Sequence, residues 1–229
     1  MSSASFFSII PARGGSKSLP RKNVLQLGGK PLLAYTIEAS LGCPLIQRTI
    51  VSTEDPEIKS IALSYGAEVI DRPYFLATDE AQTHDAVDHV LGVLREQGTV
   101  PDHIVLLQPT SPLRNSAHLH ESVLAYSDSD AKSLVSVTEC EHHPYKSVTK
   151  DNGHLRPLFD AKSMEMRRQD LPEAYRISGA IYILPTETFL KEKNFIVDPA
   201  MAFPMSAEVS IDVDTALDLA LVELVLQQR

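Results

Sequence analysis

The chain has 229 residues, of which 43% are hydrophobic and 22% charged, with a formal net charge of −9. This balance predicts one folded domain, or one domain with a small appendage, and excludes a disordered or collagen-like chain and general binding to nucleic acid. Because no apolar run approaches about 20 residues and the N-terminus lacks the layout of a secretory signal, we expect a cytoplasmic protein without a membrane partner.

Short apolar segments alternate with helical patterns along the chain. The predicted strands cover residues 6–10, 49–53, 68–70, 103–108, 134–137 and 180–184. The predicted helices cover residues 31–41, 55–65, 84–96, 116–127 and 214–228. The expected helix caps are Thr53, Thr83, Asn115, and Asp212 or Asp214. Several strands are apolar on both faces, so the pattern predicts an α/β fold with a doubly wound, mostly parallel sheet and a ligand beyond the carboxyl ends of its strands.

Residues 139–174 interrupt this alternation. They contain paired histidines, several prolines and the polar run Asp151-Asn152-Gly153, which predicts a hairpin turn. Because a two-stranded hairpin is not stable alone, we expect this segment to pack on a partner subunit. The sequence therefore predicts an α/β domain from residues 1–138 and 175–229, with residues 139–174 as an inserted dimerisation flap.

Positive charge is concentrated near the N-terminus. The first 37 residues contain no Asp or Glu, but they contain the five cations Arg13, Lys17, Arg21, Lys22 and Lys30. Much of this charge lies in IPARGGSKSLPRKN, which begins on the first predicted strand and fits neither the Walker A nor the G-x-G-x-x-G pattern. Flexible backbone N–H groups and cations at a strand end favour a phosphate site, and a basic surface turn is the alternative.

Polar residues at two further positions are candidates for the same site. Gln108 ends an apolar strand, so its amide is expected at the carboxyl edge of the sheet, although an ordinary turn residue is the alternative. Asp212 and Asp214 flank Val213, and on an extended segment both carboxylates point to the same side. Such oxygen ligands suit Mg²⁺, while capping of the last helix is the competing interpretation.

Four segments in order carry a resemblance to a known family. They are IPARGGSKSLPRKN, LLQPTSPLR, RRQDLPEAYRISGAIYI and SIDVDT. With them, the chain resembles the bacterial CMP-N-acylneuraminate cytidylyltransferases, also called CMP-sialic acid synthetases. The resemblance implies a Rossmann-like nucleotidyltransferase fold and transfer of CMP from CTP to the anomeric hydroxyl of a nonulosonic acid, with release of pyrophosphate. It also implies Mg²⁺, with Mn²⁺ as an alternative, and a homodimer, with a tetramer left open.

The resemblance and the charge pattern together assign roles to individual residues. Catalysis is assigned to Arg168, Lys22 and Lys17, and metal binding to Asp212 and Asp214. Nucleotide binding is assigned to Arg13, Ser16, Asn23, Arg72 and Thr83, and sugar binding to Gln108, Arg176, Tyr182 and Phe195. Because Arg168 lies in the flap, it is expected to approach the site of the other subunit.

Several of these assignments have an alternative explanation in which the residue has only a structural role. Tyr182 and Phe195 can be core aromatics, and Arg168 can form a surface ion pair. Arg114 is a further candidate beside Gln108 for the sugar acid, and its alternative is a pair with an acid near the helix start. Two departures from the family pattern also occur: Ala81 replaces a serine of some relatives, and Ile177-Ser178 replaces Pro-Asn.

Other functions are weighed against N-acylneuraminate activation. A CMP-legionaminate or other nonulosonate cytidylyltransferase is the nearest alternative. A Kdo cytidylyltransferase is a further alternative, but the N-terminal loop usual in that group is different. A non-catalytic nucleotide-binding regulator belongs to another class. The joint presence of Lys22, Arg168, Asp212 and Asp214 argues against it, because binding alone needs no metal pair. The two cysteines, Cys43 and Cys140, are too far apart in sequence to suggest a disulfide framework or a zinc site.

Overall fold

The computed structural model describes residues 4–228 and contains one large sheet, two short hairpins and covering helices. Its strands are β1 (Phe6–Pro11), β2 (Gln26–Leu27), β3 (Lys30–Pro31), β4 (Arg48–Thr53), β5 (Glu68–Asp71), β6 (His103–Leu106), β7 (Ser133–Glu139), β8 (Val148–Asp151), β9 (His154–Pro157), β10 (Tyr175–Pro185) and β11 (Ala200–Pro204). Its helices are α1 (Leu32–Leu41), α2 (Pro56–Ser64), α3 (Thr83–Glu96), α4 (Ser116–Ser127), α5 (Ala161–Glu165), α6 (Thr186–Glu192) and α7 (Ala216–Gln227).

The large sheet has seven strands in the order β11-β7-β10-β6-β1-β4-β5. All neighbouring pairs are parallel except those of β10, which runs antiparallel to both β6 and β7. The predicted doubly wound, mostly parallel sheet is therefore confirmed. The direction of β10 was not predicted, because a strand that is apolar on both faces looks the same in either direction.

Two apolar clusters cover the two faces of this sheet. Ile10 of β1 belongs to the cluster formed with α1, α2, α4 and α7, whereas Ile9 belongs to the cluster formed with α3 and α6. Both side chains are fully buried, and each such burial contributes about 1.5–3 kcal/mol to folding. Helices on both faces leave the edge at the carboxyl ends of the parallel strands open for a ligand.

Helix starts follow local capping chemistry. Asn115 accepts a hydrogen bond from the backbone N–H of His118 and caps α4 as predicted. Helix α7 begins after Thr215, which forms a reciprocal capping box with Asp218. The residues at the N-caps of α2 and α3 are Asp55 and Gln82. The expected caps Thr53, Thr83, Asp212 and Asp214 are wrong, because a better-placed side-chain acceptor lies one to three residues later or, for α3, one residue earlier.

The flap contains the predicted hairpin. Strands β8 and β9 pair antiparallel, and Asn152 (φ 47°) and Gly153 (φ 84°) make the turn in the left-handed region. His143 Nε2 lies 2.8 Å from the carbonyl oxygen of Pro172 and ties the start of the flap to its end. The division into domains and the packing of the flap on a second subunit stay predictions. None of the helices within residues 4–228 has the length and apolar character needed to cross a bilayer.

Candidate active site

A cavity of about 400 Å³ lies at the carboxyl ends of the parallel strands. It is bounded by the loop after β1, the start of α3 and the segment after β6. Nine residues that the sequence nominates line it together: Arg13, Ser16, Lys17, Lys22, Asn23, Arg72, Thr83, Gln108 and Asp214. Folding thus brings the N-terminal cations and the C-terminal acidic segment into one cavity, as the sequence predicts.

The loop after β1 is held open by contacts to its own ends and to α2. The backbone N–H of Gly14 donates to Glu54 Oε1 at 2.7 Å, and Asn23 Nδ2 donates to the carbonyl of Arg13 at 2.9 Å. A Cβ on Gly14 would lie 2.5 Å from Asp55 Oδ2, so only glycine lets the loop pass this close to the helix start. The loop therefore presents its cations from a defined path.

All five N-terminal cations form ion pairs with acids from later in the chain. Asp79 contacts both Arg13 Nη2, at 2.9 Å, and Lys17 Nζ, at 3.4 Å. Lys22 Nζ lies 2.8 Å from Asp214 Oδ1. The remaining two cations are turned away from the cavity: Arg21 pairs with Asp55 and Glu57, and Lys30 pairs with Glu38. The positive cluster of the sequence is thus largely neutralised in the folded chain.

Arg72 forms a buried part of the cavity wall. Its Nη2 donates to the backbone carbonyl of Ser52 at 2.6 Å, and its Nε donates to the Ser52 hydroxyl at 3.1 Å. Burial lowers the pKa of Arg72, and the nearby charge of Glu54 opposes this effect. Its guanidinium is held in place by these bonds and lines the cavity together with Thr83, the first residue of α3.

Asp212 and Asp214 approach the cavity from the segment before α7. Burial raises the pKa of Asp212, a hydrogen bond with the Thr110 side chain opposes this shift, and the charge of Asp214 adds to it. Asp212 Oδ1 is buried and has no hydrogen-bond partner among residues 4–228. Since Thr215 and Asp218 cap α7, helix capping does not explain the two carboxylates.

These carboxylates fit a divalent cation only in part. Within residues 4–228, no group of three His, Cys, Asp or Glu side chains is arranged to hold a metal ion. A cation bound by Asp212 and Asp214 would therefore need water and substrate oxygens as its other ligands. Mg²⁺ is commonly bound in this way.

Gln108 lies past the end of β6, against the backbone of β10. A Cβ on Gly179 would be only 2.8 Å from Gln108 Oε1, and the φ of +79° at Gly179 also favours glycine. The carboxamide of Gln108 therefore packs directly against the backbone of Gly179, which has no side chain.

Five nominated residues do not line this cavity: Asp212, described above, and the four residues Arg168, Arg176, Tyr182 and Phe195. Arg168 lies in the flap, donates to the carbonyl of Cys140 at 2.6 Å and lines a second cavity of about 380 Å³. Exposed Arg176 donates to the carbonyl of Ser210 at 3.3 Å.

The other two, Tyr182 and Phe195, form an aromatic cluster. Their ring centroids are 5.9 Å apart, and Phe195 stacks on Phe189 at 5.1 Å. Burial raises the pKa of Tyr182, and the charge of Asp212 adds to the shift, which places this tyrosine near the acidic segment. The catalytic or sugar-binding roles of all four residues stay predictions.

Similarity to known proteins extends over almost the whole chain. Residues 7–228 match the family described as cytidylyltransferase. The chain belongs to this family.

Three curated relatives illustrate the range within the cytidylyltransferases. An N-acylneuraminate cytidylyltransferase of Streptococcus agalactiae serotype V is 39% identical over 92% of this chain and 50% of its own length. A pseudaminic acid cytidylyltransferase of Campylobacter jejuni is 35% identical over 92% of this chain and 91% of its own. A CMP-N,N'-diacetyllegionaminic acid synthase of Legionella pneumophila is 34% identical over 94% and 93%, respectively. The chain spans about half the length of the N-acylneuraminate relatives that it matches.

The fold is shared more widely than the sequence. The structure of a CMP:2-keto-3-deoxy-manno-octonic acid synthetase complexed with CTP superimposes with a TM-score of 0.73. The two sequences are 17% identical, and the match covers 98% of this chain and 99% of the other. The expected nucleotidyltransferase architecture is thereby confirmed.

Sequence reasoning missed three acidic or polar residues that line this candidate site or contact its loop. Glu54 follows the end of β4, so the strand-end rule that selected Gln108 could also have found it. Thr110 lies in the Pro-Thr-Ser-Pro run, whose residue types indicate only a turn. Asp79 has no local signal, because only the tertiary fold brings it to Arg13 and Lys17.

Proposed function

We propose that the chain transfers CMP from CTP to the anomeric hydroxyl of a nonulosonic acid, with N-acylneuraminate as the acceptor and pyrophosphate as the second product. One observation carries the proposal: Arg13, Lys17 and Lys22 face the same cavity as Gln108 and Asp214. The family membership and the names of the relatives support a sugar-acid acceptor.

The chemistry explains why cations are needed here. Attack of a hydroxyl on the α-phosphorus increases negative charge on the phosphate oxygens and on the departing pyrophosphate, so catalysis depends on positioning and charge stabilisation. Arg13 can bind phosphate oxygens with two parallel hydrogen bonds, whereas Lys17 and Lys22 act as point charges. Arg72, Thr83, Asn23 and Ser16 surround the remaining space, where they are suited to hold the nucleoside.

Asp212 and Asp214 are proposed to hold Mg²⁺, with Mn²⁺ as the alternative ion. Asp212 Oδ1 is buried and has no partner in the described part of the chain, which supports this assignment, because an ionised oxygen without a partner is costly in a folded protein. When bound, the ion would supply charge neutralisation at substrate phosphate oxygens. Asp214 keeps Lys22 beside the same segment through their 2.8 Å ion pair.

The acceptor is proposed to bind at the Gln108 side of the cavity. Gln108 offers an amide donor and an amide acceptor there. Tyr182 is on the adjacent strand β10 and lies near Asp212. Phe195 and Arg176 are proposed to complete the sugar subsite. Arg168 is proposed to reach the site across a homodimer, because it lies in the flap and outside the nucleotide cavity of its own chain.

A different nonulosonic acid is the second candidate. The relatives named for pseudaminic and legionaminic acids match this chain over 91% and 93% of their own lengths. Ser178, at the position where some relatives have Asn, is buried and donates its hydroxyl hydrogen to Ser136 Oγ at 2.7 Å. The Ser178 hydroxyl is thus turned to β7 and occupies less space than an amide side chain, which favours a sugar pocket of different shape.

A substrate panel tests these alternatives. The purified chain is given CTP, Mg²⁺ and one of N-acetylneuraminate, pseudaminate or N,N'-diacetyllegionaminate, and pyrophosphate release and the CMP-sugar are measured. The highest kcat/KM is expected with N-acetylneuraminate. A preference for another acid would replace the proposed acceptor, and CTP binding without product from any acid would favour a nucleotide-binding regulator.

A further inference from the structure

Strand β10 contains a large bulge beside the cavity. Its pairing with β7 runs from Tyr175 to Ile177 and resumes at Tyr182, so residues 178–181 stand opposite Ser136 alone. The bulge places Gly179 against the carboxamide of Gln108. Bulges of this kind redirect backbone and side chains next to functional sites.

One side of the bulge is fastened to β7 by hydroxyl groups. Ser136 Oγ accepts a hydrogen bond from the backbone N–H of Ile181 at 2.8 Å and another from Ser178 Oγ at 2.7 Å. These bonds replace part of the strand ladder that the bulge interrupts. The path of the backbone around Gly179 is therefore well determined on this side.

The other side is fastened by Arg114. Regular pairing of β6 with β10 ends at Leu106 and Tyr182. Beyond that pair, one nitrogen of Arg114, Nη1, donates to the backbone carbonyl of Ala180 at 2.8 Å and to the backbone carbonyl of Gln108 at 3.3 Å. A single guanidinium thus joins the residue that carries the amide to the bulge on which the amide rests.

Arg114 carries its guanidinium in a buried position, which is unusual for an arginine side chain. Arg114 is 1% exposed, forms no ion pair with a described carboxylate, and leaves Nε and Nη2 without partners within residues 4–228. The expected pairing with an acid near the helix start is therefore wrong. Burial lowers the pKa of Arg114 to about 9, so the group stays charged at neutral pH. A buried charge without an acid is costly to folding, which argues for a role besides stability.

We infer that Arg114 is a positioning residue for the sugar acid: by joining the Gln108 and Ala180 carbonyls, it fixes the Gln108 carboxamide against Gly179 in the orientation that binds the acceptor. The inference rests on the proposed function, because it assigns the acceptor to the Gln108 side of the cavity. CTP binding, at the Arg13 and Lys17 side, does not depend on this contact.

Two substitutions disturb the arrangement from different sides. Gly179→Ala places a methyl group against Gln108 Oε1, and Arg114→Gln removes the shared donor. Each is expected to raise the KM for the sugar acid about tenfold or more, with the KM for CTP changed less than about twofold. Arg114→Lys keeps a charged donor and should recover part of the loss. The double variant should be less than additive, since both changes move the same amide.

Matched controls separate positioning from stability. Gly92→Ala in α3 adds a methyl group where no atom lies within 4 Å, so it should leave both KM values unchanged. Leu94→Ala, at a fully buried position late in α3, should lower the melting temperature without changing the KM for the acid. If Arg114→Gln does not fold, Gly179→Ala and Arg114→Lys still carry the comparison.

The outcomes are distinct. A wild-type enzyme that uses no nonulosonic acid would refute the proposed function itself. An active wild type whose Gly179→Ala and Arg114→Lys variants keep the wild-type KM for the acid would overturn the positioning role. Equal increases in the KM for CTP and for the acid would also overturn it, because they indicate a general disturbance of the site.

Discussion

At the residue scale, Asp79 is the anion that the triphosphate of a nucleotide would have to replace. It contacts Arg13 and Lys17 together, and its side chain is 47% exposed. Asp79→Asn removes the competing charge, so the KM for CTP should fall about two- to fivefold, the range expected from exposed ion pairs.

Steady-state kinetics at low and high salt would measure this effect, which should shrink as salt increases. Glu68→Gln is a matched control, because Glu68 is 49% exposed and pairs with Arg48 at the opposite edge of the sheet. An unchanged or higher KM for CTP in Asp79→Asn would show that Asp79 helps to organise the cations for binding.

Asp212 gives a second prediction at the same scale. Asp212→Asn should lower turnover about 100-fold or more, because the proposed charge stabilisation at the reacting phosphate depends on this carboxylate. Burial raises the pKa of Asp212, which means that its ionised form destabilises the folded chain at neutral pH. The free energy of unfolding without metal should therefore not fall in this variant.

Asp218→Ala is the control for the helix-capping explanation. Asp218 accepts hydrogen bonds from the Thr215 hydroxyl and from its backbone N–H, so loss of its side-chain oxygens should cost about 0.5–2 kcal/mol of stability and leave turnover near that of the wild type. Urea unfolding and pyrophosphate release would be measured for both variants. The opposite pattern would assign the acidic segment to helix stability.

At the element scale, the start of α2 supports the loop after β1. Asp55 Oδ1 accepts hydrogen bonds from the backbone N–H groups of Glu57 and Ile58, both at 3.0 Å, and Asp55 also pairs with Arg21. The hydrogen bond from Arg21 lowers the pKa of Asp55 below its usual value, although burial opposes the shift. The loop and the helix are therefore coupled through one carboxylate.

The effect of this coupling depends on pH. Because the folded-state pKa is lowered, the stabilisation is present above the ordinary carboxyl range and is lost as pH falls through the lowered value. Asp55→Ala should cost about 1–2 kcal/mol at pH 7. Asp55→Asn keeps the capping oxygen, so it should cost less and show a weaker loss of stability on acidification. Urea unfolding at pH 7 and pH 3 would measure both, and equal acid sensitivity of wild type and Asp55→Asn would contradict the coupling.

Elements with strong local patterns could be predicted from the sequence, and the others depend on tertiary context. Buried strands such as β1 and β4 and the long helices have continuous apolar runs or 3.6-residue periodicity. Strand β11 is a short apolar run that follows Pro199 and ends at Pro204, and prolines at both ends argue against a strand, so it was missed. Within the site, Arg13 and Gln108 were found because they follow strands. The contacts of Asp79 with Arg13 and of Arg114 with Ala180 join residues more than 60 positions apart and leave no local pattern.

At the scale of the whole molecule, the flap has features that a single chain leaves unexplained. Leu155, Leu158 and Phe159 are each more than half exposed there. Clusters of exposed apolar side chains commonly mark protein interfaces. Arg168 lies in the same flap. Together with Glu139 and Tyr175, it lines the second of the two cavities described above. These features support the proposed homodimer in which the partner subunit's Arg168 enters the site.

Subunit mixing tests this arrangement directly. Arg168→Ala and Asp212→Asn chains with different affinity tags are co-expressed, and mixed dimers are isolated by two successive affinity steps. If Arg168 acts across the dimer, the site of the Arg168→Ala chain has its own Asp212 and receives an intact arginine from the other chain. Mixed dimers should then recover about half of the wild-type turnover, since one of the two symmetric sites is complete.

The two parental homodimers should be nearly inactive, because every site in them lacks one group. Arg167→Ala is the matched control: Arg167 is in the same exposed turn but pairs with Asp170 at 2.8 Å, so this variant should keep its turnover. If Arg168 acts within its own chain, each site of a mixed dimer still lacks one residue, and mixing restores no activity. Recovery on mixing therefore makes the dimer a condition for catalysis, because only a second chain can supply the missing arginine.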